Sequence, residues 1–242
     1  MPEPAVFLDR DGVINARRPD HVKSWSEFRF VPGSLRALRL LAGMGERIVV
    51  VTNQSAVGRG LLTADGLASI HARMTQAVRT AGGRIDAVYA CPHVPEARCS
   101  CRKPGAGLLL RAGDELGIDL GRSVLVGDSP CDVEAARAAR CRPILVDGGG
   151  APAPDPRVPR VPDLLHAVAL LREARPERLA RDSAARRSRW WSGAEHRSAA
   201  CLSTGERGAE DPDRQMGRMG VEDPSDFPAA PLEVAAPEGC PC

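Results

Sequence analysis

The chain has 242 residues, a formal net charge of +2 and only 3% aromatic residues. A near-neutral charge excludes a field built to hold nucleic acid or a membrane surface, and so few rings argue against a base-stacking platform. No apolar run approaches the ~20 residues of a membrane-spanning helix, and Met1-Pro2-Glu3-Pro4 lacks the basic and apolar regions of a signal peptide, so the expectation is a cytoplasmic protein.

Ala5 to Leu8 is a short apolar run that reads as a buried strand. It stops at Asp9 and Asp11, spaced i, i+2, with Gly12 directly behind. Side chains two apart in extended chain point the same way, so both carboxylates can face one site. Gly12 lets the backbone turn sharply away. Two carboxylates at a strand end are costly to bury, and a hard, oxygen-seeking cation such as Mg2+ removes most of that cost.

Leu35, Leu38, Leu41 and Met44 then have helical spacing behind Pro32-Gly33, and Ile48–Val51 is a second strand. Leu67, Ile70, Met74 and Val78 predict a helix capped by Thr63. Strands at Ala87–Ala90, Val124–Val126 and Ile144–Val146 alternate with helices over Leu108–Leu116, Val133–Ala139 and Leu164–Leu171. This alternation predicts an α/β fold, a parallel sheet flanked by helices. Ligands in such sheets sit beyond the carboxyl ends of the strands. Chemistry-bearing residues fall there: Asp9 and Asp11, Thr52-Asn53-Gln54, a cysteine cluster, Asp128, and Asp147 with three glycines.

The pattern changes after Leu171. Arg172, Arg175, Arg178, Arg181, Arg186, Arg187 and Arg189 form a basic run, and the remainder is polar with little apolar periodicity. Such a segment buries too little apolar surface to offset its ordering entropy. The expectation is one domain over residues 1–174 and a disordered extension over 175–242.

Asp9, Asp11 and Asp128 on one sheet would repel one another without a cation; with Mg2+ they become a site for a phosphate. Asp132, four residues after Asp128, can orient Lys103 or metal-bound water. Thr52, Asn53 and Gln54 offer a hydroxyl and amides to phosphate oxygens. Cys91, His93, Cys99 and Cys101 are four ligands within eleven positions. They suit tetrahedral zinc with no open position, hence a structural role. Lys103 follows immediately, placed to neutralise phosphate charge, and Arg102 can fork onto a second phosphate.

Taken together these segments resemble the haloacid dehalogenase (HAD) superfamily of phosphohydrolases. Phe7-Leu8-Asp9-Arg10-Asp11-Gly12-Val13-Ile14-Asn15 resembles its nucleophile motif, and Thr52-Asn53-Gln54, Lys103 and Gly127-Asp128 resemble its second, third and fourth motifs. The cysteine loop narrows the resemblance to the histidinol-phosphatase-like branch. Within it, Val51 to Gly60 and Cys101-Arg102-Lys103-Pro104 look most like the heptose-bisphosphate phosphatases.

The resemblance implies a Rossmann-like sheet with a minimal cap and a small phosphorylated sugar as substrate, with histidinol phosphate as the alternative; the expected state is a monomer. It implies Asp9 as nucleophile and Asp11 as proton carrier. Mg2+ would be held by Asp9, the Asp11 carbonyl and Asp128, and zinc by Cys91, His93, Cys99 and Cys101. Thr52, Asn53, Gln54 and Lys103 would hold the transferring phosphoryl and Arg102 the distal phosphate. Two departures stand out: Ser129 where the family often has lysine, and Arg17-Arg18 in the loop after Asn15. A non-catalytic module, with the cysteine loop and basic tail gripping nucleic acid, is opposed by the aspartates, which repel a polyanion.

Overall fold

The computed structural model describes residues 2–147 and 155–174; the expected extension over 175–242 lies outside the described residues. Six strands form one sheet, all neighbours parallel, in the order β3-β2-β1-β4-β5-β6. In chain order the strands are β1 (Ala5–Leu8), β2 (Arg47–Asn53), β3 (Ala87–Cys91), β4 (Val124–Gly127), β5 (Arg142–Val146) and β6 (Arg160–Val161). The helices are α1 (Ser34–Gly43), α2 (Ser55–Gly58), α3 (Ala64–Thr80), α4 (Gly107–Leu116), α5 (Pro130–Ala138) and α6 (Leu164–Glu173).

All four residues of β1 have no exposed surface, because the strand lies between β2 and β4 with both faces covered. That double burial is why these strands read as continuous apolar runs rather than alternating ones. Ala5 and Phe7 pack on one side with Val49, Val51 and Leu125, against Leu108, Leu109 and Ala112 of α4 and Ala135 and Ala136 of α5. Val6 and Leu8 alternate to the opposite face.

The five strands and five helices expected from periodicity are present, most of them with ends shifted by a few residues. Helix α5 starts three residues before its first apolar position. Ser129 precedes Pro130 at the first turn, and the Ser129 backbone N–H and Oγ both donate to Asp132 Oδ2, at 3.1 and 2.5 Å. A cap, not apolar spacing, sets that start. Thr63 caps α3 as expected, its side chain accepting from the Gly66 N–H at 3.0 Å. Strand β6 and helix α2 were not expected: two and four residues are too short to carry a period.

The sheet order reverses direction between β1 and β4, since the chain runs outward from β1 through β2 to β3 and then crosses back to β4. That switch point opens a crevice at the strand ends, and Asp9 and Asp128 flank it.

Candidate active site

The site begins with the end of β1. The Asp9 N–H donates to the Val126 carbonyl at 2.9 Å, so the parallel pairing runs one residue past the strand and holds Asp9 against β4. Asp9 is 7% exposed. Carboxylate oxygens of Asp9, Asp128 and Asp132 lie within 4.8 Å of one another. Asp128 follows β4, and Asp132 lies in the first turn of α5.

Lys103 holds this acidic group together. Its Nζ lies 2.9 Å from Asp9 Oδ1 and 2.5 Å from Asp132 Oδ1, and donates to the Val51 carbonyl at 2.9 Å. The side chain is 3% exposed. Burial would lower the lysine, but Asp9 and Asp132 outweigh it and hold the ammonium protonated well above its ordinary range. Lys103 reaches two of the three carboxylates. Burial pushes Asp9 up to about 7 against the pull of Lys103, with Asp132, Asp11 and Asp128 adding to the rise. Burial likewise pushes Asp128 up to about 6, opposed by Arg17.

Asp11 lies apart from those three. Arg10 Nη2 donates to both of its oxygens, at 3.0 and 2.9 Å; Asn15 Nδ2 donates to Oδ1 at 2.8 Å and Gln54 Nε2 to Oδ2 at 2.7 Å. Burial would raise this carboxyl, but Arg10, Asn15 and Gln54 prevail and hold it below the ordinary carboxylate value. Asp11 therefore rests ionised, with both oxygens engaged.

The residues after β2 are committed to neighbours. Gln54 Nε2 also donates to Thr52 Oγ1 at 2.9 Å, so Gln54 links Thr52 to Asp11. The Asn53 amide clasps the Lys103 backbone, donating to its carbonyl at 3.0 Å and accepting from its N–H at 3.1 Å. Both were expected among phosphoryl-holding residues; here Gln54 orients Asp11 and Asn53 fixes the segment carrying Lys103. Long-range pairing of this kind leaves no trace in local spacing.

Cys91 ends β3, and the loop to α4 brings His93, Cys99 and Cys101 back to it. The Cys101 sulfur lies 3.3 Å from Cys91 Sγ, 3.4 Å from Cys99 Sγ and 3.3 Å from His93 Nδ1. Cys91 Sγ is 3.6 Å from both Cys99 Sγ and His93 Nδ1. These are far above a disulfide's ~2.05 Å and close to the about 3.7 Å between thiolates sharing a tetrahedral metal. Arg102, directly behind the cluster, donates from Nη1 to the His93 carbonyl at 3.1 Å. The loop thus ties the segment bearing Arg102 and Lys103 to the end of β3.

Arg17 Nη2 lies 3.2 Å from Asp128 Oδ1, and its side chain is 59% exposed. Arg18 instead pairs with Asp20 at 2.9 Å. Ser129 serves as the α5 cap described above and its hydroxyl is spent on Asp132. Asp132 was read from the sequence only as a supporting residue; it stands with Asp9 and Asp128 in the same carboxylate group.

A parallel sheet with these carboxylates and a shared lysine at its switch point defines a phosphohydrolase site, and comparison with known proteins agrees. A profile of the HAD-hydrolase-like family matches residues 100–171. D-glycero-beta-D-manno-heptose-1,7-bisphosphate 7-phosphatase of Pseudomonas aeruginosa is 41% identical over 149 residues, covering 62% of this chain and 84% of the relative. D-glycero-alpha-D-manno-heptose-1,7-bisphosphate 7-phosphatase of Mycobacterium tuberculosis is 41% identical over 150 residues, covering 59% and 79%. The crystal structure of D,D-heptose 1,7-bisphosphate phosphatase from B. bronchiseptica, complexed with magnesium and phosphate, superposes with a TM-score of 0.65 at 36% identity, covering 71% of this chain and 99% of that one. The chain belongs to the HAD superfamily of phosphohydrolases, in the family of the heptose-bisphosphate phosphatases.

Proposed function

We infer that the chain hydrolyses the 7-phosphate of D-glycero-D-manno-heptose 1,7-bisphosphate through an aspartyl-phosphate on Asp9. One observation carries the chemistry: Asp9, buried at the strand end, is paired at 2.9 Å with a lysine it shares with Asp132. The names of the relatives support the substrate.

Asp9, the Asp11 backbone carbonyl and Asp128 would hold Mg2+, and Asp132 stands close enough to orient bound water. The donor set fits: all are oxygens, and the carboxylate oxygens of Asp9, Asp128 and Asp132 lie within 4.8 Å of one another, where oxygens on one octahedral Mg2+ stand about 3 to 4 Å apart. The raised Asp9 and Asp128 add to the fit, since burial holds both carboxyls above their ordinary range despite Lys103 and Arg17, a cost a further cation would offset. Bound there, Mg2+ would neutralise charge on the transferring phosphoryl oxygens.

Asp9 Oδ attacks phosphorus as the bond to the sugar oxygen breaks. The electron pair leaves on that oxygen, which takes a proton from Asp11; since Asp11 rests ionised, that proton enters with the substrate's phosphate monoanion, which hands it to Asp11 on binding. Asp11 then takes a proton from the water that attacks the phosphorus of the intermediate, releasing inorganic phosphate and free Asp9. Lys103 presents fixed positive charge to the phosphoryl throughout. Thr52 lines the same strand end, and Asn53 keeps Lys103 in place. Arg102 engages the phosphate that stays on the sugar.

Cys91, His93, Cys99 and Cys101 would bind a structural zinc, since every position of a tetrahedral ion is taken by protein. Held there, it would fix the loop that presents Arg102 and Lys103.

The test is phosphate release with Mg2+ from both anomers of the heptose bisphosphate and from histidinol phosphate. Relatives of opposite anomeric name share the same 41% identity, so both anomers are assayed. The expected result is the highest kcat/KM on a heptose bisphosphate; a preference for histidinol phosphate overturns the substrate assignment.

A further inference from the structure

Arg10 is the bulkiest side chain among the described residues with essentially no exposed surface. It follows Asp9 at the bend behind β1, and its side chain reaches His71 of α3. There Nη1 donates to His71 Nε2 at 3.1 Å, while Nη2 spans both oxygens of Asp11. The guanidinium lies 6.0 Å from the centroid of the Phe28 ring, and Phe28 stacks on Trp25 at 4.9 Å. Nε has no hydrogen-bond partner. The orientation of Arg10 therefore hangs on two polar contacts, His71 and Asp11. His71 is 3% exposed and sits 61 residues away in sequence.

We propose that His71 is a positioning residue for proton transfer: by accepting from Arg10 it aims the guanidinium at Asp11 and fixes where the proton carrier docks. A guanidinium is planar, with its donors in a rigid fork, so pinning Nη1 sets the direction of Nη2. The ring must offer a lone pair at Nε2, since Arg10 only donates. Burial, with Arg10 beside it, pushes His71 down to about 3, which keeps that lone pair available. Removing the acceptor leaves a second guanidinium nitrogen unpartnered beside Nε. Arg10 then turns in its pocket and Asp11 loses two of its four hydrogen bonds.

This inference rests on the reading of Asp9 as nucleophile and Asp11 as proton carrier. Its test uses a leaving group that needs no proton. On the heptose bisphosphate the departing alkoxide must be protonated; on 4-nitrophenyl phosphate the phenolate leaves unassisted. Because kcat/KM reports only steps through the first bond cleavage, the two substrates isolate proton delivery. His71→Leu in the full chain is expected to lower kcat/KM on the heptose bisphosphate by about 30-fold, short of the ~10²–10⁴-fold of fully lost acid catalysis because Asp11 itself remains. On 4-nitrophenyl phosphate the value should stay within about 3-fold of the parent, and His71→Gln, which keeps an acceptor, should recover most of the sugar-phosphate rate. Equal losses on both substrates, or none on either, overturn the proposal. If His71→Leu does not fold, His71→Ala removes the acceptor and is judged the same way. Asp11→Asn separates the two layers: if it spares the sugar-phosphate rate, the proton-carrier reading fails, not the His71–Arg10 link.

Discussion

A Cβ on Gly12 would lie 1.9 Å from Asp128 Oδ2. The turn that ends the first catalytic segment and the carboxylate at the end of β4 thus occupy adjoining space, and only a residue without a side chain lets them meet. The backbone makes the same demand, since φ at Gly12 is +92°. Gly12→Ala should therefore displace Asp128, destabilise the fold by more than about 1 kcal/mol and weaken Mg2+ binding. Thermal unfolding and Mg2+ titration check both.

Asp9→Asn removes the proposed nucleophile with little change in shape. Turnover should fall by at least about 10³-fold, with zinc content and circular dichroism unchanged. Parent-like phosphate release from this variant would sink the aspartyl-phosphate route.

Lys103 is buried between two carboxylates, so its loss harms more than catalysis. Lys103→Met should cost about 3 kcal/mol or more in stability, as breaking a buried ion pair leaves its partners uncompensated. Added Mg2+ should restore part of that loss, because it supplies the missing positive charge. Denaturant melts with and without Mg2+ measure it.

The raised Asp9 and Asp128 make metal affinity depend on pH. Their folded values, about 7 and about 6, lie above the ordinary 3.8, so each favours the folded state at low pH and loses that contribution as pH rises through the folded value. The metal-free protein should weaken between about pH 4 and pH 7 on this account. Mg2+ requires the ionised carboxylates, so its stabilising effect should grow over the same interval. Comparing the Mg2+-induced rise in melting temperature at pH 5.5 and pH 8 tests the sign: the larger rise belongs at pH 8.

Cys99→Ser breaks the four-ligand set at a half-buried position of the loop. Zinc should be lost, the melting temperature should drop by about 10 °C, and kcat/KM should fall because Arg102 and Lys103 follow the cluster directly. Metal content by atomic emission and phosphate release on the same sample check the link.

Much of this protein was legible in its sequence for a physical reason: local spacing encodes local structure. Runs such as Ala5–Leu8 and Val124–Val126 are apolar because a central parallel strand is buried on both faces. The i, i+2 carboxylates, Gly12 and the clustered cysteines are marks within a few residues of one another. What the tertiary structure decided is which partner each polar group takes, since those pairs span the chain. Lys103 turned out to be shared by Asp9 and Asp132, Gln54 to serve Asp11, and Asn53 to clasp the Lys103 backbone. Arg10 pairs with His71, which sequence spacing marks only as one more buried position of α3. Hydrogen bonds are directional and short, so a register of strands and a crossing of helices must exist before they can be assigned.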